Sequence, residues 1–182
     1  MKRIKVLEGE KIALVVPERE DVEVWYRWIN NLENQIFLAQ RWRIMTLEKE
    51  YEYYDKLDFE QQKTFSIMAL EEKEIIWSVS LMNISFFDRV AFMWIMICDN
   101  SYKNKWFGRE TVKLILKYWF EVLGLHKIKL EYLSTNIKAK KVYEKSWFKE
   151  CWVWKEDIFD WKKYVDKICM EILRTDYFTE KD

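Results

Sequence analysis

Glycine is almost missing from this chain: only 3 occur in 182 residues, where average usage of roughly 7% would give about 13. Proline occurs once. Collagen-like repeats and Ser/Gly/Pro-rich linkers are thereby excluded, and with no internal repeat or low-complexity stretch, residues 1–182 read as a single domain. That length buries a sizeable core but is short for a two-domain enzyme. The three cysteines, Cys98, Cys151 and Cys169, are an odd number at wide spacings without a CxxC. They read as reduced, mostly buried thiols of a cytoplasmic protein, with neither a metal nor a disulfide role. The longest apolar run, Val90 to Cys98, is far below the roughly 20 residues of a membrane-spanning helix. Met1 to Lys11 alternates charged and apolar residues, without the hydrophobic stretch of a secretory signal. Neither sign of charge prevails, with 31 basic and 31 acidic residues and a pI near 6.7, so no global field directs the chain to nucleic acid or a membrane surface.

What is present is a globular mixture, 50% hydrophobic and 34% charged, with tryptophan raised to 11. Lys11 to Val16 is a β-rich run closed by Pro17, and the acidic residues after it start a helix carrying Val24, Trp25, Trp28, Ile29 and Leu32 on one side. A second helix starts at Thr46, the expected N-cap, and runs toward Leu57. Thr64 to Leu70, Glu74 to Ile84 and Asp88 to Asp99 are β-branched and aromatic runs separated by short polar segments, the pattern of an antiparallel meander. After a polar loop, Val112, Ile115, Leu116, Trp119, Phe120 and Leu123 form a helical stripe that ends at Gly124. A strand from Lys127 to Leu133, a short helix from Asn136 to Lys145 and strands over Phe148 to Lys155 and Lys163 to Leu173 complete an α+β order.

Two segments carry chemistry. Lys103-Asn-Lys-Trp-Phe-Gly108-Arg109-Glu110 lies between a hydrophobic strand and an amphipathic helix, where consecutive backbone N–H groups and the helix dipole make a cradle for phosphate. Its composition alone equally fits a solvated basic loop. In Asn136-Ile-Lys-Ala139-Lys-Lys-Val-Tyr143-Glu-Lys-Ser-Trp-Phe148, Ala139 and Tyr143 share a helix face. A tyrosine there is ordinarily a core residue; beside a leaving thiolate it would donate a proton.

With these two segments the sequence resembles the GNAT N-acetyltransferases, in particular the RimJ/RimL-like and spermidine-acetyltransferase-like subgroup. The resemblance runs from Trp25-Tyr-Arg-Trp-Ile-Asn30 through Met45-Thr-Leu-Glu and Val79-Ser-Leu to Tyr164-Val-Asp-Lys-Ile-Cys-Met170, and its most specific piece is Asn136-x-x-Ala139-x-x-x-Tyr143-Glu-Lys-Ser-x-Phe148. It implies the GNAT fold, a mixed and mostly antiparallel sheet of about seven strands with about four helices. It also implies acetyl-CoA as co-substrate and no metal. The pyrophosphate loop pattern, Gln/Arg-x-x-Gly-x-Gly/Ala, falls on Lys103, Trp106 and Gly108, so Lys103, Asn104, Lys105, Trp106, Phe107, Gly108 and Arg109 would line the phosphates. Ile97 and Cys98, ending a strand that splays from Lys127 to Leu133, would bond the pantetheine through their backbone, with Asn136 near the same arm. Tyr143 would protonate the CoA sulfur.

Two departures accompany the resemblance. Trp77, Trp94, Trp106, Trp119, Trp147, Trp152 and Trp161 occupy places where these proteins commonly carry glycine; seven such positions and the 3 glycines present make ten, close to the roughly 13 expected. Either a codon read as glycine in the source, such as a reassigned UGA, stands as tryptophan in this sequence, or the indoles are genuine and fill the co-substrate cleft. The first explains why tryptophan falls repeatedly on glycine positions. The second departure is the general base: the family's glutamate position holds Phe92, and Glu131, Asp88, Asp99 and His126 are poor substitutes, so water would deprotonate the amine. The expected activity is direct acetyl transfer to a primary amine, either a small amine, an aminosugar or a protein N-terminus, with Glu33, Phe37, Arg41 and Trp42 lining the acceptor side. A homodimer is compatible with this reading. The alternative is a cofactor-free binding or scaffold protein whose cleft the indoles plug.

Overall fold

The computed structural model describes residues 3–35, 44–58, 60–97 and 107–181, with the side chains of residues 77, 96, 97 and 181 outside that description. Strand β1 (Lys5–Glu8) and strand β2 (Ile12–Val15) form a hairpin, and α1 (Asp21–Ile29), α2 (Leu32–Gln35) and α3 (Leu47–Asp55) follow. A meander of β3 (Lys63–Ala69), β4 (Ile75–Ser85) and β5 (Val90–Ile97) leads to α4 (Phe107–Lys117), which widens into a π-helical turn at Tyr118–Val122. Then come β6 (Lys127–Leu133), α5 (Ile137–Glu144), β7 (Lys149–Phe159), β8 (Tyr164–Leu173) and α6 (Arg174–Lys181). The eight strands make one sheet in the order β1-β2-β3-β4-β5-β6-β8-β7. Every neighbouring pair is antiparallel except β5 and β6, which run parallel.

The α+β class and the meander match the sequence expectation, and the element count is larger: eight strands and, besides the π turn, six helices. The additions are short. β1 and α2 span 4 residues each, too few periodic apolar positions to signal themselves, and the third addition, α6, is an eight-residue helix rich in polar residues after the last strand. The thiols also divide, with Cys169 buried and Cys151 exposed on the edge strand β7.

The sheet has two unlike faces. On one, Phe65, Ile67, Leu81, Met93, Ile128, Leu130 and Ile172 meet the buried stripe of α4, Val112, Ile115, Leu116, Trp119 and Phe120, in one continuous core. On the other, Thr64 and Ser66 of β3 lie opposite Ser80 and Ser78 of β4, all buried, with the Thr64 and Ser80 hydroxyls bonded at 2.9 Å. Helix α1 covers this polar face and α3 packs against α1, through the Trp25 and Tyr54 rings at 6.1 Å and through Asn30, whose Oδ1 accepts the Met45 N–H at 2.9 Å while its Nδ2 donates to the Met45 carbonyl at 3.0 Å. Thr46 caps α3 as its sequence indicates, accepting the Lys49 N–H.

At the N-terminus of α1 the buried Asp21 carboxylate receives Arg3, the Ser66 hydroxyl at 2.5 Å and the Glu18 N–H at 3.1 Å. Glu110 of α4 accepts the backbone N–H groups of Glu10 and Lys11 in the β1–β2 turn. A Cβ on Gly9 would meet that Glu110 carboxylate and displace it from the turn.

Candidate active site

Parallel pairing between β5 and β6 lasts for three residue pairs, Val90↔Lys127, Ala91↔Ile128 and Phe92↔Lys129. Beyond them the strands part. β5 continues to Ile97 bonded only to β4, and β6 continues to Leu133 bonded only to β8. Along Met93–Ile97 the backbone groups that point away from β4 therefore have no strand partner. An extended, amide-bearing molecule entering this gap would be held by them as an added strand. The splay expected for the Trp94 to Cys98 strand is seen as far as Ile97; Cys98 lies outside the described residues.

Tyr143 stands at the parting end of β6. The second turn of α5 carries it into the core, where its ring meets Tyr132 of β6 at 6.1 Å and Phe148 at 6.0 Å. It is 8% exposed, and its hydroxyl makes no hydrogen bond among the described residues. Burial pushes its phenol well above the ordinary tyrosine value, so at neutral pH the group carries its proton.

Asn136 is the N-cap of α5, its Oδ1 accepting the Ala139 N–H at 3.1 Å, which leaves its amide nitrogen free to donate. Where α4 begins, Phe107 is buried in the core and offers a ligand only its backbone. Gly108 is buried beside it. Arg109 is exposed, with no ion pair, at the positive end of the helix. Lys103, Asn104, Lys105 and Trp106 lie outside the described residues.

On the acceptor side, Glu33 is exposed on α2 while its neighbours Asn34 and Gln35 are buried, their amide nitrogens donating to the carbonyls of Trp28 at 3.4 Å and Ile29 at 2.9 Å. Phe37, Arg41 and Trp42 lie outside the described residues. Trp94 of β5 packs with Trp28 and Ile29 of α1 over the polar face of the sheet.

Glu50 is the residue the sequence reading passed over. It is 4% exposed, its carboxylate has no hydrogen bond or ion pair among the described residues, and burial raises its carboxyl pKa. Four residues before Tyr54, it lies on the side of α3 that meets α1, between the Trp25–Tyr54 and Asn30–Met45 attachments. The available signal was its place in Thr46-Leu-Glu-Lys-Glu50, which reads as a capping run; burial of the third acidic-turn residue becomes visible only once α3 is docked.

The base candidates do not converge on the gap. Asp88 is exposed in the β4–β5 turn, accepting the Ser85 hydroxyl, at the opposite end of β5. Glu131 pairs with Lys167 at 3.6 Å. His126 is exposed, and its backbone N–H bonds the Arg89 carbonyl as β6 begins. Asp99 lies outside the described residues. No group of three or more His, Cys, Asp or Glu side chains able to hold a metal occurs among the described residues.

Comparison with known proteins agrees with this geometry. The family model described as an acetyltransferase (GNAT) domain matches residues 11–149. The spermidine N(1)-acetyltransferase of Vibrio cholerae is 29% identical over 181 residues, covering 96% of this chain and 99% of the relative. The structure of Vibrio cholerae spermidine N-acetyltransferase in complex with CoA and spermine superposes with a TM-score of 0.86 at 27% identity, covering 93% of this chain and 99% of that one. A dodecameric structure of the same Vibrio enzyme, in an intermediate state, gives 0.80 at 27% identity, covering 96% and 100%. With the strands parting where that fold parts them and the family model spanning most of the sequence, the chain belongs to the GNAT acetyltransferases, in their spermidine-acetyltransferase-like subgroup.

Proposed function

We propose that this protein transfers acetyl from acetyl-CoA to a primary amine of a polyamine, by direct attack and without a covalent enzyme intermediate. The observation that carries the reading is Tyr143, its ring buried and its phenol protonated beside the gap between β5 and β6. The thioester lies in that gap, its carbonyl oxygen bonded by a free N–H of β5 beyond Phe92, which stabilises the tetrahedral oxyanion. The amine lone pair forms the C–N bond, the C–S bond breaks as the oxyanion collapses, and Tyr143 gives its proton to the departing sulfur. The new amide nitrogen loses its extra proton to water.

Ile97, Asn136 and the backbone of Phe107 and Gly108 hold the pantetheine and pyrophosphate, together with Arg109 and the Cys98 and Lys103 to Trp106 stretch. Glu33, Phe37, Arg41 and Trp42 border the acceptor entrance. Glu50 faces a distal ammonium, which would give this largely buried carboxylate a counter-ion. The polyamine class is supported by the Vibrio relative, whose structure holds spermine, and by this buried carboxyl.

Residues 1–182 act as one catalytic domain in the cytoplasm, and assembly into a homo-oligomer is expected from the dodecameric relative. An acetyl-transfer screen reading free CoA thiol tests the proposal, with spermidine, an aminosugar and an N-terminal peptide as acceptors. Spermidine turnover lost in Tyr143→Phe is the expected result; turnover of the peptide or sugar alone refutes the polyamine assignment, and an unimpaired Tyr143→Phe variant refutes the mechanism.

A further inference from the structure

Helix α5 ends in a hydrogen-bond pattern that has a place for glycine. The Phe148 N–H donates to the Tyr143 carbonyl and the Trp147 N–H to the Glu144 carbonyl, both at 3.1 Å. With the ring contact between Phe148 and Tyr143, these are the two bonds and the apolar contact of a Schellman motif, whose penultimate residue is left-handed and usually glycine. Here that residue is Trp147, at φ 67°. At the end of the π turn after α4 the chain makes the same left-handed step with glycine, Gly124 at φ 64°.

The β7–β8 connection repeats the anomaly. Asp160 Oδ1 accepts the N–H groups of Lys162 and Lys163, and the Asp160 N–H donates to the Lys163 carbonyl. Trp161 follows Asp160 at φ 80°, in the place an Asp-Gly turn gives to glycine. The other non-glycine residues with positive φ among those described are Lys73, Asn83, Arg89 and Glu156, none of them aromatic.

Two more indoles sit badly. Trp152 adjoins the irregularity where β7 slips its register on β8, a usual site for glycine. Trp119 is fully buried in the π turn, and its Nε1 has no hydrogen-bond partner. Trp25, Trp28 and Trp154 do not take positive φ, although the buried Trp25 Nε1 also has no hydrogen-bond partner.

We infer that residues 147 and 161, and with them 77, 94, 106, 119 and 152, are glycine in the protein as its own cell makes it, from a codon that cell reads as glycine. The consequence for function falls at position 106. The resemblance puts the phosphate loop at this position, which lies outside the described residues, and in such a loop glycine is the residue that lets backbone approach phosphate.

The decisive experiment reads the codons at 147 and 161 and sequences, by mass spectrometry, the corresponding peptides of protein purified from its source. A shared codon other than UGG, with both peptides lighter by the indolylmethyl group, is the expected result. UGG at both positions with tryptophan peptides overturns the inference.

A second measurement isolates the backbone. Trp147→Gly and Trp147→Ala both lose the packing of the indole against Tyr177, so their difference reports the left-handed conformation alone. The glycine variant is expected to melt about 2–4 °C higher, and likewise at 161, while at Trp154 alanine is the better replacement. Equal melting temperatures for the two variants at both 147 and 161 would remove the structural basis.

Discussion

The Tyr132 hydroxyl donates to Glu150 Oε1 at 2.9 Å, and Lys140 Nζ meets the same oxygen at 2.8 Å. One carboxylate on the edge strand β7 thus ties β6 to α5, the helix that carries Tyr143. Lys140 and the Tyr132 hydroxyl together hold the Glu150 carboxyl below its ordinary range.

Replacing Glu150 with Ala should therefore loosen α5, lowering both the melting temperature and kcat. Tyr132→Phe, which leaves the Lys140 pair intact, should cost less, about 1 kcal/mol for one hydrogen bond. Because the Glu150 pKa is lower folded than unfolded, its stabilisation is full above the unfolded carboxylate value and is lost as pH falls through the folded one. Thermal melts from pH 7 down to about pH 3 should show the gap between Glu150→Gln and the parent closing; a constant gap would mean that the charge plays no part.

Tyr143→Phe should leave stability nearly unchanged, since the ring keeps its contacts with Tyr132 and Phe148. Turnover should fall by about 100-fold or more. Acetyl-CoA titration by tryptophan fluorescence, giving an affinity close to the parent's, would place the loss in the chemical step. With its pKa raised by burial, Tyr143 should impose no falling limb on the kcat profile between pH 7 and about pH 10.

Glu50→Gln tests the acceptor assignment. The Glu50 pKa is higher folded than unfolded, so folding takes up a proton, and the carboxyl's contribution fades as pH rises through the folded value. The Gln variant should melt above the parent at pH 8 and no higher at pH 4. Spermidine should raise the parent's melting temperature at pH 8 more than the variant's, and KM for spermidine should rise in the variant more than KM for a monoamine.

Arg3→Ala should destabilise through Asp21, which is 1% exposed and would keep only Ser66 and the Glu18 N–H as partners. A loss of about 2 kcal/mol is expected in chemical denaturation. Asp21→Asn, which removes the buried charge as well, should lose less in the Arg3→Ala background than alone.

Much of the fold was legible because β3, β4 and β5 spell out β-branched runs, and because α4 repeats its apolar residues with helical period up to Gly124. Tyr143 and Asn136 stood out through one motif on a short helix. Glu50 did not, because its burial comes from α3 docking on α1 and not from its own neighbours in sequence. The resemblance set seven tryptophans at positions where the family commonly has glycine, and only the backbone distinguished among them: Trp147 and Trp161 take left-handed φ, while Trp94 and Trp119 do not. β1 and α2 escaped notice because four residues carry too little pattern in either period.

The three parallel pairs between β5 and β6 are a narrow seam in an eight-stranded sheet. Toward the C-terminal end of β5, the halves β1–β5 and β6–β8 are joined through the helices and not through the ladder, so the sheet has a built-in unzipping point. A molecule lying in the gap sutures it. Those amide protons of Met93 to Ile97 and Leu130 to Leu133 that face the gap, and not their ladder-bonded neighbours, should then exchange early and together in the free protein, and slow in concert when the gap is filled.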